Sequence, residues 1–480
     1  MTEREVVATQ DIERSGIPWP VFTVTVAAAF IVALDLSIVN VAFPSIRQSF
    51  PQVSTATLSW VLAAYSVVFG ALLLGAGRIA DRSGRRRIFL IGLLIFTAGS
   101  LLCGIAPSAW VLIAGRVVQA VGAALLMPAS LALLLSATAP AARAQAVAMW
   151  GGVSALAVAT GPSLGSVLID AGGWRWAFFV NLPVALVAGI AARRVVPESV
   201  VGGPVPDLLG VALLSAAVAA LALAITQGGD WGWSSPRVLG SFGAAAVLAP
   251  IAIRRSTHHE APAIDLDVFR SRTVVLANAA TFLYSIGFFG MLLANVLFLT
   301  SVWEYSTLQA GLAITPGPLL VAALSGPAGR LSARVGYGPV LVAGGVTFAT
   351  GLLFYVTIVD LEANYLTHWL PGALLVGAGV ALSFPVLSAA AVAGLPQERF
   401  GTGGAINQTA RQIGAVLGVA LLIAIVGTPS SVDQALDRFR IAWLVGAGAA
   451  LGSAAISSFH RRPAETTVAA TVMLAPADAV

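Results

Sequence analysis

The chain contains no lysine, a single cysteine and few charged residues of either sign. All 26 basic residues are arginine, 21 residues are acidic, and charged residues make up 10% of the 480 positions, whereas hydrophobic residues make up 58%. A soluble protein carries about 25% charged residues to cover its surface. So small a share of charge excludes most soluble enzymes and indicates that much of the surface faces lipid.

The scarcity of cysteine and histidine argues against metal and redox chemistry. Cys103 lies inside an apolar run, so neither an intramolecular disulfide nor a thiolate metal site is expected. The four histidines lie in loops or at span ends, and apolar spans separate the adjacent pair His258 and His259 from His368 and from His460. No metal or cofactor is therefore predicted. The sequence also has no nucleotide-binding loop, so an ion gradient is the expected energy source.

Long apolar runs dominate the sequence. A membrane-spanning helix needs about 20 mostly apolar residues, and the runs accommodate fourteen such helices, the first at about 20–42. The residues before the first run are too acidic for a secretory signal, and no cleavage site follows it. The predicted fold class is an all-α, multi-pass membrane protein with fourteen transmembrane helices.

The arginines predict how these helices are oriented. With the N-terminus inside, 19 arginines fall in cytoplasmic segments and five in external loops, while Arg116 and Arg411 lie within spans. This asymmetry follows the positive-inside rule and predicts two cytoplasmic termini in the cell membrane. A net charge of +5 can indicate a nucleic-acid partner, but these arginines are spread between spans, so none is predicted.

A repeat divides the chain into two halves. The segment 77–84 (GRIADRSG) recurs as 329–336 (GRLSARVG), and the same offset of 252 carries the first helix onto the ninth. Parallel repeats of this kind are a transporter architecture with the substrate site between the halves. The predicted domains are an N-terminal tail (1–19), a six-helix bundle (20–192), two additional central helices with their loops (193–272), a second six-helix bundle (273–459) and a C-terminal tail (460–480).

Asp35 is the one carboxylate placed deep in a span. A charge within the hydrocarbon costs roughly 2.5 kcal/mol or more, so such a residue is a functional candidate. Arg116 is its expected partner, since both lie about six or seven residues from the outer boundary, roughly 10 Å deep at 1.5 Å per residue. If the surroundings of Asp35 change between inward- and outward-facing states, the carboxylate takes up and releases a proton. A purely structural hydrogen-bonding role remains the alternative.

Several motifs make the sequence recognisable. Residues 34–44 (LDLSIVNVAFP), 77–87 (GRIADRSGRRR) and 174–183 (WRWAFFVNLP) resemble the fourteen-helix drug:proton antiporters of the major facilitator superfamily over nearly the whole chain. The resemblance implies the major facilitator fold and a role for Asp35 in proton coupling. It also implies that Arg116 lies on the proton-relay helix, although Ala120 stands where the family usually has glycine.

The loop after the second helix is a candidate gate, comprising Gly77, Asp81, Arg82, Gly84 and Arg85. Glycines permit a tight turn and close helix approach. A carboxylate at position 81 would be attracted to the N-terminus of a helix in the opposite half. A cluster of arginines that only sets topology is the alternative, but it does not account for the glycines and the aspartate.

Helix 5 is similar to the antiporter motif at Gly152, Gly161, Pro162 and Gly165, with Ser166 replacing a frequent glycine. Small residues let membrane helices approach closely, and proline removes a backbone hydrogen bond. Generic packing of membrane helices is the alternative explanation.

Polar and aromatic positions at mid-helix are candidates for the substrate cavity, although packing explains each of them equally well. With Asp35 the only deep carboxylate, we expect neutral, zwitterionic or weakly charged substrates in preference to divalent cations. The candidates are Asn40, Tyr65, Gln119, Tyr284, Phe288, Asn295 and Asn407.

The predicted function is proton-coupled export of drug-like or antibiotic molecules by a monomer in the lipid bilayer. A dedicated exporter of one endogenous metabolite, such as a self-made antibiotic, is the alternative. An uptake symporter is disfavoured by the antiporter-like motif in helix 5. A membrane-embedded enzyme would need a nucleophile with a base or clustered ligands at one depth, and a scaffold would not need two opposite charges at matching depth.

Overall fold

A computed structural model describes residues 16–53, 55–58, 60–199, 207–259, 262, 266–396, 399–427 and 429–460. Most of both predicted tails, 1–15 and 461–480, lies outside the described residues. The described part is helical and contains no strand. Its long helices are α1 Trp19–Ser49, α2 Trp60–Ser83, α3 Arg85–Gly104, α4 Ala109–Ala137, α5 Arg143–Gly172, α6 Trp176–Val195, α7 Leu208–Trp231, α8 Pro236–Ser256, α9 Arg272–Ser301, α10 Leu308–Val335, α11 Tyr337–Ile358, α12 Tyr365–Ala390, α13 Phe400–Val426 and α14 Val432–Ser457.

The number of candidate spans among the described residues is eleven to thirteen. Eleven helices are long and apolar enough to cross a membrane, and α2 and α5, bent by 52° and 42°, raise the number to thirteen. The apolar part of α7 is shorter, Leu209–Ile225. Eleven to thirteen spans make this a multi-pass membrane protein, whereas the fourteenth crossing stays a prediction.

The two halves pair their helices in the same way. In the first half α1 packs against α5 and α6, and α4 packs against α2 and α3. In the second half α9 packs against α13 and α14, and α12 packs against α10 and α11. Each half has its own buried core, with Phe96 and Trp150 in the first and Phe298 and Trp443 in the second. The sequence offset of 252 therefore corresponds to a repeat of the whole helical unit.

The helices α7 and α8 form a hairpin between the halves. Val211 on α7 fits against Gly75 at the bend of α2, where a Cβ on the glycine would lie 2.5 Å from the valine Cγ1. Asp207 caps α7 by accepting from the backbone N–H of Gly210 at 3.0 Å. Its other oxygen accepts from Arg255 at 2.5 Å, and this bond holds the pKa of the Asp207 carboxyl below its usual value. The start of α7 is thereby tied to the end of α8.

The first helix is longer than its apolar run predicts. The expected end near Ala42 is wrong, since α1 continues through Pro44 to Ser49. Arg47 and Gln48 are polar and lie beyond the predicted apolar run, yet they continue the helix. The hydrophobic run therefore marks the part of α1 suited to the membrane core and not the end of the helix.

Candidate functional site

The two deep charges of the first half meet inside the bundle. Arg116 Nη1 on α4 donates to Asp35 Oδ2 on α1 at 2.5 Å, and neither side chain is more than 1% exposed. The same guanidinium donates from Nε to the Val61 carbonyl on α2 at 2.9 Å. Each charge would be strongly destabilising without the other at this depth. The pair thus joins three helices through one buried cation.

The carboxylate of Asp35 has further donors. Gln119 Nε2 donates to Oδ1 at 2.8 Å while the Gln119 carbonyl accepts from Arg116 at 2.7 Å. Asn181 Nδ2 on α6 donates to the same oxygen at 3.2 Å. Both amides also contact the Ser100 hydroxyl on α3, at 2.7 Å and 3.2 Å. The network therefore draws α1, α3, α4 and α6 towards one carboxylate.

Aromatic rings enclose the guanidinium. The Cζ of Arg116 lies 4.1 Å from the centroid of the Tyr65 ring and 5.9 Å from that of Phe178. A cation over a ring face is attracted by about 0.5–2 kcal/mol, more when water is excluded. Tyr65 and Gln119 were candidates for the substrate cavity, but the structure places both against the ion pair.

The residues of the candidate gate touch the opposite half. Their prediction as a loop is wrong, since Gly77, Asp81 and Arg82 lie at the end of α2 and Arg85 begins α3, with only Gly84 between the two helices. Asp81 Oδ2 accepts from the backbone N–H of Thr402 at 3.3 Å, in the first turn of α13. The N–H groups of a first turn have no partner within the helix and form the positive end of its dipole. The other oxygen of Asp81 accepts from Arg85 at 2.8 Å and 3.0 Å. A carboxylate of the first half is thus held at a helix N-terminus of the second.

Glycines make this contact possible. A Cβ on Gly77 would lie 2.7 Å from the Gly401 carbonyl oxygen, and one on Gly401 would lie 2.6 Å from the Asp81 oxygens. Gly84 separates α2 from α3 with φ 98°, a conformation that favours glycine. Arg82, the remaining residue of the candidate gate, has a buried Nη1 with no hydrogen-bond partner among the described residues.

The glycines of α5 lie against both halves. A side chain on Gly161 would overlap Ser37 of α1, and one on Gly165 would lie 3.2 Å from Ile38. A side chain on Gly152 would overlap Ser325 of α10. Helix α5 therefore packs closely on α1 at one point and on the second half at another.

Pro162 frees a carbonyl in the middle of α5. Proline has no N–H, so the carbonyl of Val158, four residues earlier, loses its usual partner. The hydroxyl of Ser37 donates to this oxygen at 2.5 Å. The bend of α5 falls at the same place, between Val158 and Thr160. The proline of the motif is thereby linked to the helix that carries Asp35.

The other cavity candidates lie apart. Asn40 is exposed and donates to Leu36 of its own helix at 2.7 Å, while Asn407 donates to Thr281 at 2.9 Å and to Asn278 at 3.3 Å. Phe288 and Asn295 line one cleft of the second half. Beside it, Tyr284 contacts the rings of Phe348 and Phe384. The seven positions therefore do not form one cavity, because shared depth does not fix the direction of a side chain around its helix.

Three functional candidates were missed by the sequence reasoning: Ser37, Ser100 and Asn181. Two of them lie inside motifs already noted, Ser37 in 34–44 and Asn181 in 174–183. A polar residue in an apolar helix is the signal that would have found them. Ser100 lies in none of these motifs, and only the packing of α3 on α4 shows that its hydroxyl contacts Gln119 and Asn181.

Two repeated helical halves with buried charges define the class of the molecule, a multi-pass membrane transporter. A family model described as Major Facilitator Superfamily matches residues 25–207 and 277–478, which flank the α7–α8 hairpin. The chain belongs to this superfamily.

Individual relatives agree with this assignment. The multidrug resistance protein Stp of Mycobacterium tuberculosis is 36% identical over 396 residues, 82% of this chain and 73% of Stp. The puromycin resistance protein pur8 of Streptomyces alboniger is 34% identical over 411 residues, 84% of this chain and 81% of pur8. The human organic anion transporter MFSD10 shares the fold with a TM-score of 0.65 at 16% identity, over 91% of this chain and 99% of that one.

Proposed function

We propose that the protein is a proton-coupled antiporter of the fourteen-helix drug:proton family that exports drug-like or antibiotic molecules. It would act as a monomer in the cytoplasmic membrane with both termini inside. Members of the superfamily move small molecules across membranes, and the relatives Stp and pur8 are named for resistance to multiple drugs and to puromycin.

The observation that carries the proposal is the buried Asp35–Arg116 pair. The ionised carboxylate holds Arg116, Gln119 and Asn181 through charge-assisted hydrogen bonds. A proton on Asp35 removes its charge and weakens these bonds, so α1 is released from α4 and α6. Proton binding thereby changes which arrangement of the helices is favoured.

A movement of α1 has a route to the other half. Ser37 lies two residues from Asp35 and is bonded to Val158 of α5. Helix α5 in turn packs against α10 and α12, where a Cβ on Gly151 would lie 3.2 Å from the Pro385 Cα. On the cytoplasmic side, release of Asp81 from Thr402 would open the contact between α2 and α13. If the movement of α1 and the release of Asp81 from Thr402 occur in turn, the substrate site opens alternately to the two sides of the membrane.

A dedicated exporter of one metabolite is the second candidate. It is favoured by the name of pur8, which refers to a single antibiotic. Transport of puromycin alone, with unrelated hydrophobic drugs excluded, would support this narrower function.

The test is drug-dependent proton movement in proteoliposomes that contain the native protein, Asp35→Asn or Asp437→Asn. Asp437 is a matched carboxylate on α14 whose side chain is 73% exposed. We expect puromycin or another hydrophobic drug to dissipate the proton gradient with the native protein and Asp437→Asn but not with Asp35→Asn. Equal coupling in all three proteins would show that Asp35 is structural and would refute this mechanism.

A further inference from the structure

The second half contains a deep cation that the proton mechanism does not use. Arg411 lies eleven residues from the start of α13 and fifteen from its end. At 1.5 Å per residue it is about 16 Å from one end and 22 Å from the other. An arginine near the centre of a membrane helix is unfavourable by about 2.5–3.5 kcal/mol on insertion scales, so its retention calls for a partner.

Arg411 has few hydrogen-bond partners within the protein. Its Nε and Nη2 both donate to one atom, Gln408 Oε1, at 2.9 Å and 2.5 Å. The guanidinium Cζ lies 5.5 Å from the centroid of the Phe384 ring on α12. No carboxylate of the described residues forms an ion pair with it. A guanidinium has five N–H donors, so one amide oxygen leaves most of its hydrogen-bonding capacity unused.

Arg116 and Arg411 differ in how their charges are compensated. Arg116 is 1% exposed and bonds Asp35, Gln119 and a backbone carbonyl. Arg411 is partly accessible, although it lies far from both ends of its helix. One deep arginine is therefore neutralised by a carboxylate of the protein, whereas the other is partly exposed and has no counter-charge among the described residues.

Arg411 is close to the junction of the halves. Helix α13 packs against α2 and α4, and α12 packs against α5. Phe384, beside the guanidinium, precedes Pro385, the residue that meets Gly151 of the first half. A molecule bound between the halves would thus have access to this cation.

An aromatic surface adjoins the cation. The Phe384 ring lies 5.0 Å from the rings of both Tyr284 and Phe288. Phe288 also lines the cleft that contains Asn295 and is otherwise mostly apolar. The surroundings of Arg411 therefore match a molecule with an aromatic body and one negatively charged group.

We propose that Arg411 binds an anionic group of the exported molecule, a carboxylate in the first place. Arginine and a carboxylate form two parallel charge-assisted hydrogen bonds, which would use the free donors of the guanidinium. Asp35 is already neutralised by Arg116 and offers no charge to a cationic drug. The inference rests on the proposed export function and identifies amphipathic aromatic acids as one class of its substrates.

Binding of a matched pair of probes tests the inference. Radiolabelled 2-naphthoate and 2-naphthamide share one ring system and differ by one charge, and equilibrium dialysis against the purified full chain gives both dissociation constants. We expect the native protein to bind the acid about tenfold or more tightly than the amide, as a charge-assisted pair predicts. Arg411→Gln should remove this preference and leave amide binding unchanged.

Two further variants complete the experiment. Arg411→Lys keeps the charge without the planar fork, so part of the preference should remain even if Arg411→Gln does not fold. Arg270→Gln removes an arginine whose side chain is 86% exposed and should retain the full preference. Failure of the native protein to bind or prefer the acid, or a preference that survives Arg411→Gln, would overturn the inference. Puromycin-driven proton movement in the same preparation tests the export function separately.

Discussion

Ser37 of α1 donates its hydroxyl to the Val158 carbonyl of α5, the oxygen that Pro162 leaves without a partner in its own helix. The bond connects the helix that carries the candidate proton site to a helix that packs on the opposite half. A proline that bends one helix and a serine that satisfies the resulting acceptor therefore act together. The same arrangement explains why position 161 must be small.

Replacing Ser37 and Pro162 singly and together measures this link. Ser37→Ala leaves the partly buried Val158 carbonyl without a donor, which should destabilise the fold by about 1–3 kcal/mol. Pro162→Ala returns an N–H to α5, so the loss in the double variant should be smaller than the sum by about 0.5 kcal/mol or more. Denaturant unfolding in detergent gives the free energies of unfolding of the four proteins, from which the double-mutant cycle is calculated. The exposed Ser241, which bonds only its own helix, is the control as Ser241→Ala. Strict additivity would refute the link.

The buried ion pair predicts a second non-additive cycle. Arg116→Met leaves the Asp35 carboxylate uncompensated and should destabilise the protein by about 3–5 kcal/mol. Adding Asp35→Asn removes the isolated charge and should restore part of this stability. The four melting temperatures test the expectation. The surface pair Arg440–Asp437, with side chains 34% and 73% exposed, should change stability by less than about 1 kcal/mol when broken. A double variant no more stable than Arg116→Met would contradict the prediction.

Gly77→Ala should open the contact between α2 and α13. Its Cβ would meet the backbone carbonyl of Gly401, which cannot move away without shifting α13. Spin labels at the exposed positions 87 and 334 should then lie farther apart than in the native background, and drug transport should fall. Gly240→Ala on α8, where a Cβ meets open space, is the matched control. Unchanged distances with normal transport would show that the contact is not a gate.

Whether α7 crosses the membrane determines on which side of the membrane the residues after α14 lie. The short connection between α7 and α8 makes them antiparallel, so both should cross if α7 does. We expect alkaline phosphatase fused after Gly232 to be active, because that turn would be external, and inactive after His460. Fluorescent protein fusions at the two points should give the opposite pattern. An inactive phosphatase at Gly232 would mean that α7 does not cross.

The sequence predicted the outline of the fold because membrane insertion is a local requirement. Three features can be recognised in the sequence without knowledge of the contacts between helices: the apolar runs of about 20 residues, the asymmetric distribution of arginine and the 252-residue offset of the repeat. The same local signals misplaced the end of α1. A helix can continue past its apolar part into water, because its backbone hydrogen bonds are made within the helix and do not depend on the membrane. They also predicted α7 as one of fourteen spans, although its apolar segment in the structure, Leu209–Ile225, is shorter than that of the other candidate spans.

The sequence by itself determined which charged residues lie within apolar runs and predicted their depth in the membrane, because burying a charge in hydrocarbon is unfavourable wherever it occurs. Asp35, Arg116 and Arg411 stand out for that reason alone. Shared depth predicted Arg116 as the partner of Asp35, but only the tertiary structure decided the other contacts of these residues, since the rotation of each helix about its axis depends on its neighbours. It joined Asp35 to Arg116 and left Arg411 partly exposed, with no carboxylate partner among the described residues. It also divided seven candidates of similar depth among separate sites, because depth is set by position along the chain and direction by packing.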